Sequence, residues 1–241
     1  MKIKVFTLIL FFALASIATA KEPYFVKTGS QFLYYERYDA DSKKLMQTTT
    51  LDICDVEKDS KNTRVNYGML LKKANGQPML GGRAPLTAVI EKNGDVWMDL
   101  GGIVKCVLQN MFPKAKPKAK GGMAIMPAVM HPGDTLPEAH CTVTMGPVKI
   151  TVDVMSRFVL RQETLTTPAG TFKCIVAREH KVENAPLHHD DTWSDTWYAP
   201  GIGYVRHDSY NYKMELLSSE ILVSIASSPA SQAAENPGSD Q

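Results

Sequence analysis

The sequence predicts an all-β fold: a single antiparallel meander forming a curved sheet, open barrel or sandwich, with at most one or two short helices. Three observations carry that reading. Apolar and polar residues alternate with a period of two through the middle of the chain, turn residues punctuate the runs, and helical periodicity is confined to short segments.

The first twenty residues place basic Lys2 and Lys4 before an apolar run from Val5 to Ala15, followed by the small Ala18, Thr19 and Ala20. That order reads as a secretory signal peptide cut between Ala20 and Lys21. The run falls short of the roughly 20 residues a helix needs to span a bilayer. No cysteine stands near the cut to carry a lipid, and no later segment reads as a membrane span. The expected address is the periplasm or the medium. Residues 21–226 read as one domain, and the tail 227–241, rich in Ser, Ala, Asn, Pro and Gly, has a composition that predicts disorder.

Along the domain, Tyr34, Tyr35 and Tyr38 mark an opening strand. Asn93-Gly94 between Thr87–Glu91 and Val96–Leu100 predicts a hairpin with a type I′ turn, in which both central residues take positive φ; Asn75-Gly76 is a looser second case. Gly102–Met111 carries Val104, Val107, Leu108 and Met111 at helical spacing, although a strand ending near Cys106 also fits; the start of the exported chain is a second short helix candidate. Gly81-Gly82 and Gly101-Gly102 read as turns or bulges. Pro113–Gly122, with four lysines and no apolar side chain larger than alanine, reads as a solvated loop or, functionally, a basic tether for an anionic partner. Ile150, Val152 and Val154 alternate with Lys149, Thr151 and Asp153, which predicts a half-buried strand. Pro168-Ala169-Gly170 reverses the chain between Phe158–Thr164 and Thr171–Arg178, the latter apolar on both faces and so central.

The chain has 27 basic and 25 acidic residues, and loss of the two leader lysines leaves the exported form balanced. That balance excludes the basic excess of a nucleic-acid binder. Cys54, Cys106, Cys141 and Cys174 are an even count in an exported chain, which permits two disulfides in any of three connectivities and predicts at least one. Their spacing is not that of a metal cluster, and no CxxC pair is present.

His188, His189, Asp190 and Asp191 form the most conspicuous polar cluster, with the nitrogen and oxygen donors transition metals use. On a strand, however, adjacent side chains diverge, so that at most two could meet one ion; a polar loop is the simpler reading. Trp193 and Trp197 share a strand parity and stand beside Tyr198: as a ligand platform they would wall a cavity, and otherwise they anchor the core. There is no GxSxG elbow and no phosphate-cradling loop before a helix, so no catalytic residue is singled out and no cofactor is expected.

Three phrases in order, Gly133-Asp134-Thr135-Leu136-Pro137, Thr167-Pro168-Ala169-Gly170-Thr171-Phe172-Lys173-Cys174, and Trp197-Tyr198-Ala199-Pro200-Gly201-Ile202-Gly203-Tyr204-Val205, resemble the TapB-like family of exported bacterial proteins of the Bacteroidetes type. The resemblance implies an antiparallel β fold and carries no catalytic residue. The expected function is therefore non-enzymatic binding of a small apolar molecule, a lipid or an envelope protein. The alternatives are a metal-dependent hydrolase built on His188–Asp191 and a structural component of a surface assembly using an exposed sheet edge.

Overall fold

The computed structural model describes residues 21–227. Residues 1–20, expected to be a signal peptide, and residues 228–241, within the tail expected to be disordered, lie outside the described residues. Thirteen strands and one helix follow in chain order: β1 (Gln31–Asp39), β2 (Leu45–Lys58), β3 (Asn62–Lys73), β4 (Ala84–Glu91), β5 (Val96–Asp99), α1 (Leu100–Met111), β6 (Lys118–Gly121), β7 (Met123–Met126), β8 (Ala139–Met145), β9 (Val148–Thr167), β10 (Gly170–Ala185), β11 (His188–Ala199), β12 (Gly203–Asn211) and β13 (Leu216–Ser227). All pair antiparallel in one sheet of order β6-β8-β9-β10-β11-β12-β13-β1-β2-β3-β4-β5-β7. The expected all-β meander is thus a nearly closed barrel.

Closure follows from one glycine-rich bend. The outermost members of that order, β6 and β7, are consecutive in the chain and separated by Gly122 alone. Lys118–Met126 therefore acts as one strand that pairs with β8 through its first half and with β5 through its second. Gly121 and Gly122 take φ of 74° and 97° at the switch, and a Cβ on Gly122 would lie 2.8 Å from the backbone nitrogen of Gly101, so both conformation and space require glycine there.

Antiparallel order assigns the connections to two ends. Those after β1, β3, β8, β10 and β12 lie at one end, the rim; those after β2, β4, β9 and β11 lie at the other, the base. The base is closed by the segment before β1, where Phe25 and Val26 are buried, the Phe25 ring packs 5.4 Å from that of Tyr67, and Gly201 donates its amide to Pro23. Each such fully buried side chain contributes about 1.5–3 kcal/mol. Toward the rim, α1 packs between β4 on one side and β6 and β8 on the other, completing a wall where β5 and β7 are only four residues long. Asp99 caps it by accepting from the Gly102 amide at 2.8 Å, and Leu108 buries against Ala124, Cys141, Val143 and Val152.

Several local expectations are corrected. At Asn93-Gly94 only Gly94 takes positive φ, and the Glu91–Asp95 pair closes a three-residue loop with glycine in the left-handed position, in place of a type I′ turn. Gly101-Gly102 opens α1, because a Cβ at Gly101 would sit 3.1 Å from both Ala119 and Cys141. Residues 21–30, offered as a second short helix candidate, are irregular backbone. Part of the lysine segment is strand β6: a backbone ladder needs no apolar side chain. None of the four cysteines is paired; Cys54 is exposed on β2, Cys106 lies on α1, and Cys141 and Cys174 are buried on β8 and β10, each held apart by a different element.

Candidate functional site

Long barrel strands with regular alternation would fill their interior with apolar side chains. Here the middle of the barrel is polar. Arg37 on β1, Glu220 on β13, His207 on β12 and Thr196 on β11 stand in one row across adjacent strands, as the pairings Arg37–Glu220, Glu220–His207 and His207–Thr196 require, and Glu179 on β10 extends it on the same face, two residues beyond Ala177, the partner of Thr196. Arg157 on β9 completes it through a bulge. Val152 and Val154 point inward, and strict alternation would next send Ser156 inward and Arg157 out. Ser156 instead takes a φ of 48°, the register slips opposite Glu179, and Arg157 is turned inside, where its side chain is 2% exposed.

These charges are paired as burial demands. Arg37 Nη2 donates to Glu220 Oε2 at 3.0 Å, and Thr49 donates to the other Glu220 oxygen at 2.6 Å. Arg157 Nε donates to Glu179 at 3.2 Å, and its Nη1 reaches the carbonyls of Ile125 at 3.1 Å and Pro137 at 2.5 Å. Thr196 Oγ1 lies 2.8 Å from His207 Nδ1. Burial, reinforced by the charge of Arg37, holds His207 below the ordinary histidine range, so the ring is neutral at neutral pH. Arg37 Nε, in contrast, is buried with no hydrogen-bond partner.

The row divides two cavities. The inner one, about 320 Å³, combines the apolar Met98, Leu100, Ile103, Ala124 and Val154 with Tyr198 and Tyr204. The outer one, about 420 Å³, lies toward the rim between Met46, Lys181, Trp193, Ser209 and Leu217. Both are bounded by Arg37, Glu179 and His207. A predominantly apolar wall on the inner side of the row and a mixed polar and apolar wall on the outer side form an amphipathic chamber. A separate cavity of about 400 Å³ near the base is bounded by exposed Gln162, Thr164 and Lys173 and has no such division.

A family model described as DUF3108-like matches residues 27–222, nearly the whole barrel. The chain belongs to the DUF3108-like family. Two crystal structures share the fold of this DUF3108-like barrel, each covering 86% of this chain and all of its own length with a TM-score of 0.69: an exported-protein candidate with a YmcC-like fold from Bacteroides fragilis, 22% identical, and a lipoprotein candidate from Parabacteroides distasonis, 18% identical. At these identities the likeness is one of fold. No curated protein matches.

Within this DUF3108-like barrel, the residues singled out from sequence separate. Tyr198 lines the inner cavity, whereas Trp193 only borders the outer one: it shares the parity of Trp197, and its ring stacks 4.6 Å from that of His180, which neighbours the inward Glu179 and faces the opposite way. Trp197 faces away from the chamber: it is sealed on the outer face between the guanidinium groups of Arg161 and Arg206, and its indole N–H donates to Glu163. His188 and His189 are exposed at the β10–β11 turn, with His189 against Asn184; Asp190 pairs with Lys181 and Asp191 with His180. Among the described residues no three His, Cys, Asp or Glu side chains are grouped to hold a metal ion. The row of Arg37, Arg157, Glu179, His207 and Glu220 escaped the sequence reading because its members come from five strands. A signal was available: at Arg37, Glu179, His207 and Glu220 the inward parity passes from apolar residues (Leu33 and Tyr35, Ile175 and Ala177, Val205, Leu222) to polar ones.

Proposed function

We propose that this protein is an exported, non-enzymatic carrier whose barrel interior holds a small amphipathic molecule, its apolar part against Met98, Ile103, Ala124 and Val154 and its polar head at the charged row. The observation that carries this reading is the unpartnered Arg37 Nε at the junction of the two cavities. A buried donor of this kind calls for an acceptor, and a carboxylate or phosphate head group supplies one. The volume matches the lower range of small-molecule sites, and a few convergent polar groups in an apolar wall are their usual composition.

The export signal read at residues 1–20, the TapB-like resemblance and the descriptions of the two Bacteroidetes structures support an envelope location. Strand addition to a partner has less support, since the closing segments β6 and β7 offer edges of only four residues.

Uptake of a fluorescent long-chain fatty-acid analogue and of its methyl ester tests the proposal. The acid should bind, the ester should bind more weakly, and Ala124→Phe or Ile103→Trp, which fill the apolar wall, should each abolish uptake in a protein that melts normally. No uptake by wild type, or uptake unchanged in both variants, would overturn it.

A further inference from the structure

The two ends of the barrel differ in what they expose. Base turns are built from ordinary turn residues, Asp59-Ser60-Lys61, Lys92-Asn93-Gly94, Pro168-Ala169 and Pro200-Gly201, and the one large apolar side chain among them, Ile202, is half-buried. Rim connections carry large apolar side chains instead. Among the described residues, eight of the ten exposed large hydrophobic side chains lie there: Met46 beside the β1–β2 turn, Met111 and Phe112 at the end of α1, which reaches the β3–β4 connection through Asn110 and Leu80, Leu187 between β10 and β11, and Tyr212, Met214, Leu216 and Leu217 at the β12–β13 turn. Leu187 is fully exposed at φ 65° and Met214 is exposed at φ 64°, a left-handed conformation that favours glycine or asparagine. Both positions therefore forgo an easier turn residue and keep an apolar one in water.

Charge follows the same end. From Leu100 to Gly133 there is no acidic residue, while Lys105, Lys114, Lys116, Lys118 and Lys120 are all exposed. Lys43, Lys44 and Lys213 stand at neighbouring rim turns. Among the described residues the lysine ion pairs involve only Lys27 and Lys181, so these cations are not neutralised by carboxylates. Of the rim acids, Asp39 binds its own turn at Ser42, Glu215 accepts from Asn211, and Glu183 and Asp190 face Lys181; Asp41 is the exception.

We propose that the rim docks on an anionic phospholipid surface, with Phe112, Leu187, Met214 and their neighbours entering the interfacial zone and the lysines meeting lipid phosphates. Scattered apolar tips surrounded by lysines match such an interface, where burial of apolar side chains and attraction to anionic head groups add. Docking would also turn the outer cavity, lined by Met46 and Leu217, toward the bilayer. The inference stands apart from the carrier reading, because its test reads membrane partition and not cargo.

The test is cosedimentation of protein, expressed from the full-length sequence and purified from the envelope, with vesicles of mixed phosphatidylcholine and phosphatidylglycerol or of phosphatidylcholine alone. Wild type should pellet with the mixed vesicles, and added salt should release it. Combined Lys114→Glu, Lys116→Glu and Lys118→Glu should lower partition about tenfold or more. Combined Leu187→Asn and Met214→Asn should lower it comparably while leaving the melting temperature unchanged or higher, since asparagine tolerates positive φ. Wild type that stays in the supernatant, including one that binds RNA or self-associates there, would overturn the proposal. So would equal binding to both vesicle types, or retention of binding by both variants.

Discussion

The two faces of the sheet from β9 to β13 and the adjoining β1 carry the same chemistry with opposite outcomes. On the outer face Arg178 grips Asp195 through two bonds of 2.6 and 2.7 Å, Arg206 grips Asp208 through two of 2.9 and 2.8 Å, and Arg161 grips Glu163 through two of 2.8 and 3.3 Å. Each fork is filled by a carboxylate, with Trp197 sealed between Arg161 and Arg206. On the inner face Arg37 gives Glu220 a single bond and keeps a buried Nε unused, while Arg157 spends Nη1 on two carbonyls. The same residue types thus make a closed outer shell and an unsaturated inner row, and what separates them is whether the guanidinium meets its carboxylate in bidentate form.

The largest expected effect lies inside. Arg157→Met should destabilise the protein by about 3 kcal/mol or more, because it leaves the carboxylate of Glu179 and two carbonyls without their partner; denaturant unfolding measures it. Outside, Asp195→Asn removes the charge from one closed fork whose arginine keeps partial access to water, and the expected loss is about 2 kcal/mol. A larger loss outside than inside would break the contrast between the faces.

A pH series sharpens it further. Because burial and Arg37 hold His207 below its ordinary value, the unfolded chain takes up the proton first as the pH falls. His207 therefore contributes stability that is fully present above about pH 6.5 and declines below it. His207→Gln should flatten that portion of the stability curve; an unchanged slope would mean that the ring is not in the desolvated row. The smallest effect belongs to Ser156→Gly, which relieves a left-handed serine while freeing the unfolded chain and should shift stability by less than about 1 kcal/mol, leaving Arg157 inside.

Much of the architecture was legible before the structure. Ile150, Val152 and Val154 named a strand face because their alternation has a period of two, and Thr-Pro-Ala-Gly named a reversal because its backbone preferences are local. The kink at Gly121-Gly122 was not legible: it joins strands distant in the sheet, and Lys118–Gly121 enters β6 through backbone hydrogen bonds alone. The chamber was harder still. Tyr198 was singled out, but beside Trp197, whose opposite parity sends it to the outer shell. Arg157 was hidden by the bulge at Ser156, which breaks the alternation that sequence reading relies on. Arg37, Glu179, His207 and Glu220 converge only because β1, β10, β12 and β13 share an interior.

Native mass spectrometry of the protein purified from its own envelope, wild type beside Ala124→Phe, tests the carrier account most directly. The account predicts a reproducible extra mass on wild type, belonging to a small molecule with an acidic head group, and its loss from the variant. Wild type that arrives without any such mass, or an adduct equally abundant on the filled chamber, would contradict it.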